Sequence, residues 1–145
     1  QIDHLLSEYD IDIIQLPINI LDQRLINSGH LKKLKDCNVE IHARSVFLQG
    51  LLLMSSEDIP SYFNPILDDL IKIKKASSGM GVSILELALS FVTGVKEVDK
   101  VIIGVNKVKQ LMEIINASQI YVNPKDFESL AIYDSNFLNP SNWKL

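Results

Sequence analysis

Asp99-Lys100-Val101-Ile102-Ile103-Gly104-Val105-Asn106-Lys107-Val108-Lys109-Gln110-Leu111-Met112-Glu113-Ile114-Ile115 is the stretch on which the reading of the fold turns. Val101 to Ile103 is a short β-branched run, which predicts a buried strand rather than a helix. Gly104 breaks the run, and Asn106 is the expected N-cap of the next helix. Val108, Leu111, Met112 and Ile115 recur at i, i+3, i+4 and i+7, one face of an amphipathic helix. A strand, a tight turn and a helix start flanked by Lys107 and Lys109 make a place where phosphate can sit. The unpaired N–H groups of the first turn and the helix dipole both favour an anion there. Read locally, the same residues also describe a structural βα unit with a solvated basic end.

Upstream, Ile2, Leu5, Leu6 and Tyr9 share a helical face. Ile11 to Leu16 is a predicted strand whose pairing Pro17 should stop. Asn27 or Ser28 can cap a short helix through Leu31 and Leu34, and Asn38 can end it in the left-handed conformation. Val39 to Ala43 reads as a second strand running on toward Phe47. A short helical crossover between two strands demands a parallel pair. The loop from Gln49 to Asp58 carries Leu51, Leu52, Leu53 and Met54, so it is expected to pack as a cover. Pro60 and Asn64-Pro65 both offer helix starts, with Phe63, Ile66, Leu67, Leu70 and Ile71 as the buried stripe. Gly79 to Gly81 ends that helix, and Ser83 with Glu86 forms a capping box for the next. Its Leu85, Leu87, Ala88, Leu89, Phe91 and Val92 leave little polar face, and Gly94 closes it. Downstream of the opening stretch, Asn123-Pro124 starts a last helix with Phe127, Leu130 and Ala131, and a tail runs out through Trp143.

Three strands alternating with helices is an α/β pattern with a parallel sheet. Three are too few for a complete (β/α)8 barrel, which takes about 250 residues. The chain therefore reads as part of something, and its opening inside a helical pattern at Gln1 looks like a cut.

The totals narrow the function. The chain has 145 residues, 47% hydrophobic and 22% charged, the balance of a globular domain with a real core. A net charge of −4 without a basic block argues against a nucleic-acid partner. The longest apolar runs, such as Leu51 to Met54, are too short for a membrane span, and no signal-peptide pattern is present. A single cysteine, Cys37, suits a reducing, cytoplasmic setting and reads as a small residue near a helix end. No His/Cys/Glu spacing suggests a metal. His4 and His30 read as surface residues, and His42 as a strand residue facing away from Ala43. Tyr9, Tyr62, Tyr121 and Tyr133 fall in helical or connecting segments, not at a strand end. None of these carries a catalytic role.

Three segments together resemble the aldo/keto reductases, in particular a bacterial branch of that family. They are Gln15-Leu16-Pro17-Ile18-Asn19-Ile20-Leu21-Asp22-Gln23-Arg24, then His42-Ala43-Arg44-Ser45-Val46-Phe47-Leu48-Gln49-Gly50-Leu51-Leu52, then Val101-Ile102-Ile103-Gly104-Val105-Asn106 with Gln110, Leu111 and Glu113. The likeness runs over essentially the whole chain in order and spacing. It implies a (β/α)8 TIM barrel that uses NADPH or NADH to reduce aldehydes and ketones. Residues 1–145 would be a partial domain supplying about strands six to eight with their helices. By position, Gln15 matches the glutamine that bonds the nicotinamide carboxamide. Arg44 falls where many members stack an aromatic ring on the nicotinamide, and a guanidinium can stack there too. Ser45, Phe47 and Gln49 match the loop along the pyrophosphate. Gly104, Val105, Asn106, Gln110 and Glu113 match the segment around the adenosine, with Lys107 and Lys109 able to add charge near a phosphate. Gln110 stands where NADPH-specific members often place an arginine, and Ile114 where an asparagine often reads the adenine.

The resemblance also implies an absence. The family's catalytic Asp, Tyr, Lys and His come from the first half of the barrel, which this sequence does not contain. The expectation is an inactive chain that binds cofactor weakly or not at all, chiefly at Gly104 to Glu113. The small-molecule carbonyl substrate belongs to the full-length protein. Bare sheet edges and inward faces should make the fragment a homo-oligomer. The alternative is a non-catalytic nucleotide-binding or assembly module built on the same fold.

Overall fold

Two crossovers build the sheet. The computed structural model describes residues 2–144, so the reading of Gln1 lies outside it. The helices are α1 (Ile2–Glu8), α2 (Arg24–Asn27), α3 (His30–Asp36), α4 (Leu67–Met80), α5 (Ile84–Thr93), α6 (Val108–Ala117) and α7 (Ser135–Leu138). The strands are β1 (Ile13–Pro17), β2 (Glu40–Arg44) and β3 (Lys100–Val101), in the spatial order β1-β2-β3 and all parallel. In this register Gln15, His42 and Lys100 stand in one row, and Leu16, Ala43 and Val101 in the next.

Both outer strands differ from the sequence expectation. Pro17 does not stop pairing: it stands opposite Arg44, and the Ile18 N–H still donates to the Arg44 carbonyl at 3.1 Å. Alternate residues of a strand bond the same neighbour, so the N–H that Pro17 lacks would point to the free edge of β1. At the other side, β3 spans two residues instead of reaching Ile103. The Ile102 N–H adds one more bond, to the Ala43 carbonyl at 2.8 Å. Beyond it β2 has turned away, because Ser45 adopts φ 60°, and Ile103 has no ladder to join.

Local signals place the helix ends. Ser83 Oγ accepts from the Glu86 N–H at 3.2 Å while Glu86 Oε2 accepts from the Ser83 N–H at 2.6 Å, the full capping box. Gly81 and Asn38 are both left-handed, as their positions at helix ends predict. The cap of α3 is different: Gly29, at φ 74°, precedes it, and Ser28 Oγ bonds the Leu25 carbonyl and His30 instead. Asn123 does open a helical segment, with Oδ1 accepting from the Lys125 N–H, but as a 3-10 turn over Pro124–Leu130.

The core lies on one side of the sheet. Ile41 and Ala43 are wholly buried against Leu87, Phe91 and the loop leucines Leu48, Leu51 and Leu52, so that loop packs as expected. The face expected to bury α6 is instead in solvent: Val108, Leu111, Met112 and Ile115 are 78, 44, 52 and 47% exposed. Among the described residues only Ala117 of this helix is buried, against the neighbouring layer that includes α5. Periodicity identified an apolar stripe, and none of the described residues lies over it. No single helix among the described residues is long and apolar enough to cross a membrane.

Candidate functional site

Parallel strands end on the same edge of a sheet, so the segments after β1, β2 and β3 meet there. Asn19, fully buried, links the first two. Its Oδ1 accepts from the Leu21 and Asp22 N–H groups at 3.0 and 2.9 Å, and its Nδ2 donates to the Ser45 carbonyl at 3.2 Å. The second segment is the strained one. Ser45, Leu48 and Gln49 have φ of 60, 46 and 55°, and Gly50 comes next at 88°. These three side-chain-bearing residues in the left-handed region store on the order of 1 kcal/mol or more each. The buried Leu48, Leu51 and Leu52 hold the loop in that shape.

Between this loop and the end of β3 opens a cavity of about 460 Å³. Of the residues singled out in the sequence, Ser45, Phe47, Gln49, Gly104 and Asn106 line it, with Val46, Gly50, Leu53, Ile102 and Ile103 completing the wall. The others lie outside it. Val105 sits between two lining residues but is itself exposed. Gln15 and Arg44 stand on the sheet face opposite the core, where the Arg44 guanidinium donates to Ser45 Oγ at 3.2 Å. Lys107, Gln110 and Glu113 lie at or beyond the start of α6, with Lys109 Nζ 3.8 Å from Glu113 Oε1.

Asn106 is not the cap of α6. Lys107 is the N-cap residue, and Gln110 Oε1 accepts from the N–H groups of Asn106 and Lys107 at 3.0 and 3.2 Å. A lysine side chain has no acceptor, so the first-turn donors go uncapped, and Gln110 instead reaches back to the two N–H groups that precede them. Two of the donors expected to be open are therefore taken, and those of Val108, Lys109 and Gln110 remain as the free first turn.

Sequence reading missed a charged row on the bare face of the sheet. Glu40 Oε1 lies 2.7 Å from Lys100 Nζ and 2.6 Å from His42 Nε2. The hydrogen bond from Lys100, and then that from His42, hold the Glu40 carboxyl below the usual carboxylate range, and Glu40 raises Lys100. The signal was present: Glu40, His42 and Arg44 recur with period two beside buried Ile41 and Ala43. Among the described residues no group of three or more His, Cys, Asp or Glu gathers as a metal site, and no tyrosine lines the cavity. The Tyr62 hydroxyl is engaged elsewhere, its one hydrogen lying between the Asn136 and Asn142 carbonyls at 3.0 and 3.3 Å.

Comparison with known proteins places this arrangement. The holo form of the aldo-keto reductase AKR11C1 from Bacillus halodurans superposes with a TM-score of 0.67 at 18% identity, over 90% of this chain and 46% of its own. The apo form gives 0.69 at 20%, over 90% and 47%. The thermostable aldo-keto reductase Tm1743, in complex with the inhibitor epalrestat, gives 0.61 at 20%, over 81% and 39%. The chain thus spans about half the length of these structures or less, and the likeness is one of fold: part of a TIM barrel. No curated protein matches. The family model described as Aldo/keto reductase family matches residues 1–134, and the chain belongs to that family.

Proposed function

We propose that this chain is the cofactor-side part of an NAD(P)H-dependent aldo/keto reductase acting on aldehydes or ketones. The observation that carries the reading is the gathering of Ser45, Phe47, Gln49, Gly104 and Asn106 around one cavity at the carboxyl ends of the strands, where function sits in this fold. The fit to a dinucleotide is good at one end. A polar loop in left-handed backbone and the free first turn of α6 offer N–H donors, and Lys107 and Lys109 add positive charge for a phosphate. Gln110 is committed to its own helix start, so any contact to a 2′-phosphate falls to these flexible lysines, which discriminate poorly between NADPH and NADH. At the other end Gln15 would orient the nicotinamide carboxamide and Arg44 would stack against the ring.

The bound nicotinamide supplies a hydride; reduction also needs a proton donor at the carbonyl oxygen. No residue lining the cavity can serve as that acid, so the chain by itself leaves the step uncatalysed. In this reading the bare sheet face and the exposed stripe of α6 are where the remaining strands and helices pack. Without them, those surfaces favour a homo-oligomer. The single exposed thiol of Cys37 fits a cytoplasmic setting.

The test is binding and turnover together. Adenosine 2′,5′-bisphosphate and NADPH, titrated by NMR, should both bind weakly, shift the amides of Ser45 to Gly50 and Gly104 to Lys107, and lose affinity in Lys107→Glu. NADPH consumption against a panel of aldehydes should equal the enzyme-free rate. Shifts confined elsewhere, tight binding that depends on the nicotinamide, or measurable turnover would each overturn the reading.

A further inference from the structure

Among the described residues, the last backbone bond between the segments that follow β1 and β2 runs from the Ile18 N–H to the Arg44 carbonyl, at 3.1 Å. Ser45 then turns left-handed, and the next link comes from a side chain: Asn19 Nδ2 donates to the Ser45 carbonyl at 3.2 Å. Asn19 has no freedom of its own. Its Oδ1 accepts from the Leu21 and Asp22 N–H groups, and its backbone N–H donates to the Asp22 carbonyl at 3.3 Å. The residue is fully buried, as are Ile18, Ile20 and Leu21 around it. Because two donors meet Oδ1, the end of the amide turned to Ser45 is the nitrogen. The turn from Asn19 to Asp22 is thus a rigid mount for a single donor.

The Ser45 carbonyl accepts one further bond, from the Leu48 N–H at 2.9 Å. A peptide unit is planar, so this carbonyl and the Val46 N–H point in opposite directions. With the carbonyl held by Asn19 and Leu48, the Val46 N–H faces away from both, and it has no acceptor among the described residues. Ser45 and Val46 both line the cavity at the strand ends. Turning their shared peptide over would bring a carbonyl oxygen round to where the N–H now is. An N–H attracts a phosphate there and a carbonyl oxygen repels it.

Resting on the reading of that cavity as the phosphate side of a cofactor site, we propose that Asn19 is its positioning residue. The Asn19 donor holds the Ser45–Val46 peptide, and through it the left-handed loop as far as Gly50, in the orientation that receives phosphate. Asn19 touches no ligand and acts only through the Ser45 carbonyl. The far end of the loop is held separately, by Leu48, Leu51 and Leu52 in the core.

Asn19→Ser separates the two jobs of the amide. A serine hydroxyl can still accept from the Asp22 N–H, but it is too short to reach the Ser45 carbonyl. Ile73→Val, which trims the core at α4, is the control for a general loss of stability. Amide hydrogen exchange without ligand reads the loop: relative to the amides of α5, the Leu48 N–H should exchange roughly threefold to tenfold faster in Asn19→Ser, the effect of one neutral hydrogen bond. Inorganic pyrophosphate, titrated by NMR, should shift the amides of Ser45 to Gly50 in the parent, and Asn19→Ser should bind it more weakly by a similar factor. Ile73→Val should match the parent in both measurements. If Asn19→Ser does not fold, the Asn19 side-chain amide of the unaltered chain decides, and it should shift as pyrophosphate binds. An unchanged relative exchange at Leu48, undiminished affinity in a folded Asn19→Ser, or a side-chain amide that stays still would overturn the role of Asn19. A parent chain that shows no pyrophosphate shifts would overturn the cofactor reading and the phosphate half of the proposal, while the exchange at Leu48 still judges the hold on the loop.

Discussion

Replacing Gly94 by alanine sets two effects of opposite sign against each other. Gly94 ends α5 at φ −78° and ψ −14°, backbone that any residue adopts. By conformation alone, Gly94→Ala should stabilise by roughly 0.5–1 kcal/mol, through the lower entropy of the unfolded chain. Space decides otherwise. A Cβ there would lie 2.7 Å from the Val122 carbonyl oxygen and 3.0 Å from Cδ and Cγ of Pro124. The carbonyl cannot swing aside as a side-chain tip would, because its segment is held on both flanks. Ser90 Oγ donates to the Ile120 carbonyl at 2.8 Å, and Gln23 Nε2 to that of Phe127. Overpacking against held backbone costs about 1–3 kcal/mol. The net expectation is a loss of about 1–2 kcal/mol, or a Tm lower by about 3–6 °C for a chain of this size. Thermal unfolding by circular dichroism, with a urea titration to check that the m-value is unchanged, measures it. Pro124→Ala in the same background should rescue little, because the nearer obstacle is the carbonyl. A Tm that is unchanged or raised in Gly94→Ala would refute the argument from close approach.

Backbone strain and a depressed carboxyl each give a further expected outcome. Gln49, exposed and left-handed at φ 55° and ψ 25°, should accept glycine: the relief of backbone strain outweighs the added unfolded-state entropy, for a gain of up to about 1 kcal/mol in a urea titration. A loss in Gln49→Gly would mean that its side chain holds the loop. Asp99 accepts from the Ile41 N–H at 2.7 Å and from Lys35 Nζ, and these bonds, the Ile41 one first, depress its carboxyl. A depressed folded-state pKa contributes stability above the unfolded value of roughly 4 and loses it as pH falls through the folded value. Asp99→Asn should therefore be less stable than the parent at pH 7, with the gap closing below pH 4; a gap that widens on acidification contradicts it.

What the sequence made legible was whatever closes within a few residues. Ser83 and Glu86 find each other across one turn, so their capping box could be read off the spacing. Gly81 and Asn38 end helices by a local preference for left-handed backbone. What failed depended on distant chain. The length of β3 is set by β2, which leaves the ladder at Ser45, far earlier in the chain. Lys107 displaced Asn106 at the N-cap of α6, and Gln110 reaches back to the N–H groups of both, a choice of rotamer rather than of residue type. Periodicity gave the apolar stripe of α6 correctly but carries no information on what covers it. At the candidate site, Ser45, Phe47 and Gln49 came from resemblance alone, whereas Gly104 and Asn106 were also legible from the strand–turn–helix pattern. The left-handed run that shapes the cavity falls on serine, leucine and glutamine, residues that give no hint of it.

The two ends of the proposed cofactor site differ in what holds them, and that difference bears on what this chain can do alone. Parallel sheets are ordinarily covered on both faces. Here one face is packed, through Ile41 and Ala43, while the other carries Gln15, Glu40, Arg44 and Lys100 at the surface, with the His42 side chain mostly covered among them. The strained loop draws its support from the packed side: Asn19 pins the Ser45 carbonyl, and Leu48, Leu51 and Leu52 anchor the rest in the core. The shape of the cavity proposed to face the phosphates is therefore already determined within this chain. Gln15 and Arg44 have no such backing. Among the described residues the Arg44 side chain has only the neighbouring Ser45 hydroxyl as a partner, and Gln15 stands exposed on an edge strand. A ring laid against them would gain little until something excluded water from that face. Affinity for the phosphate end should accordingly survive in the isolated chain, and selectivity for the nicotinamide should appear only when the bare face is covered.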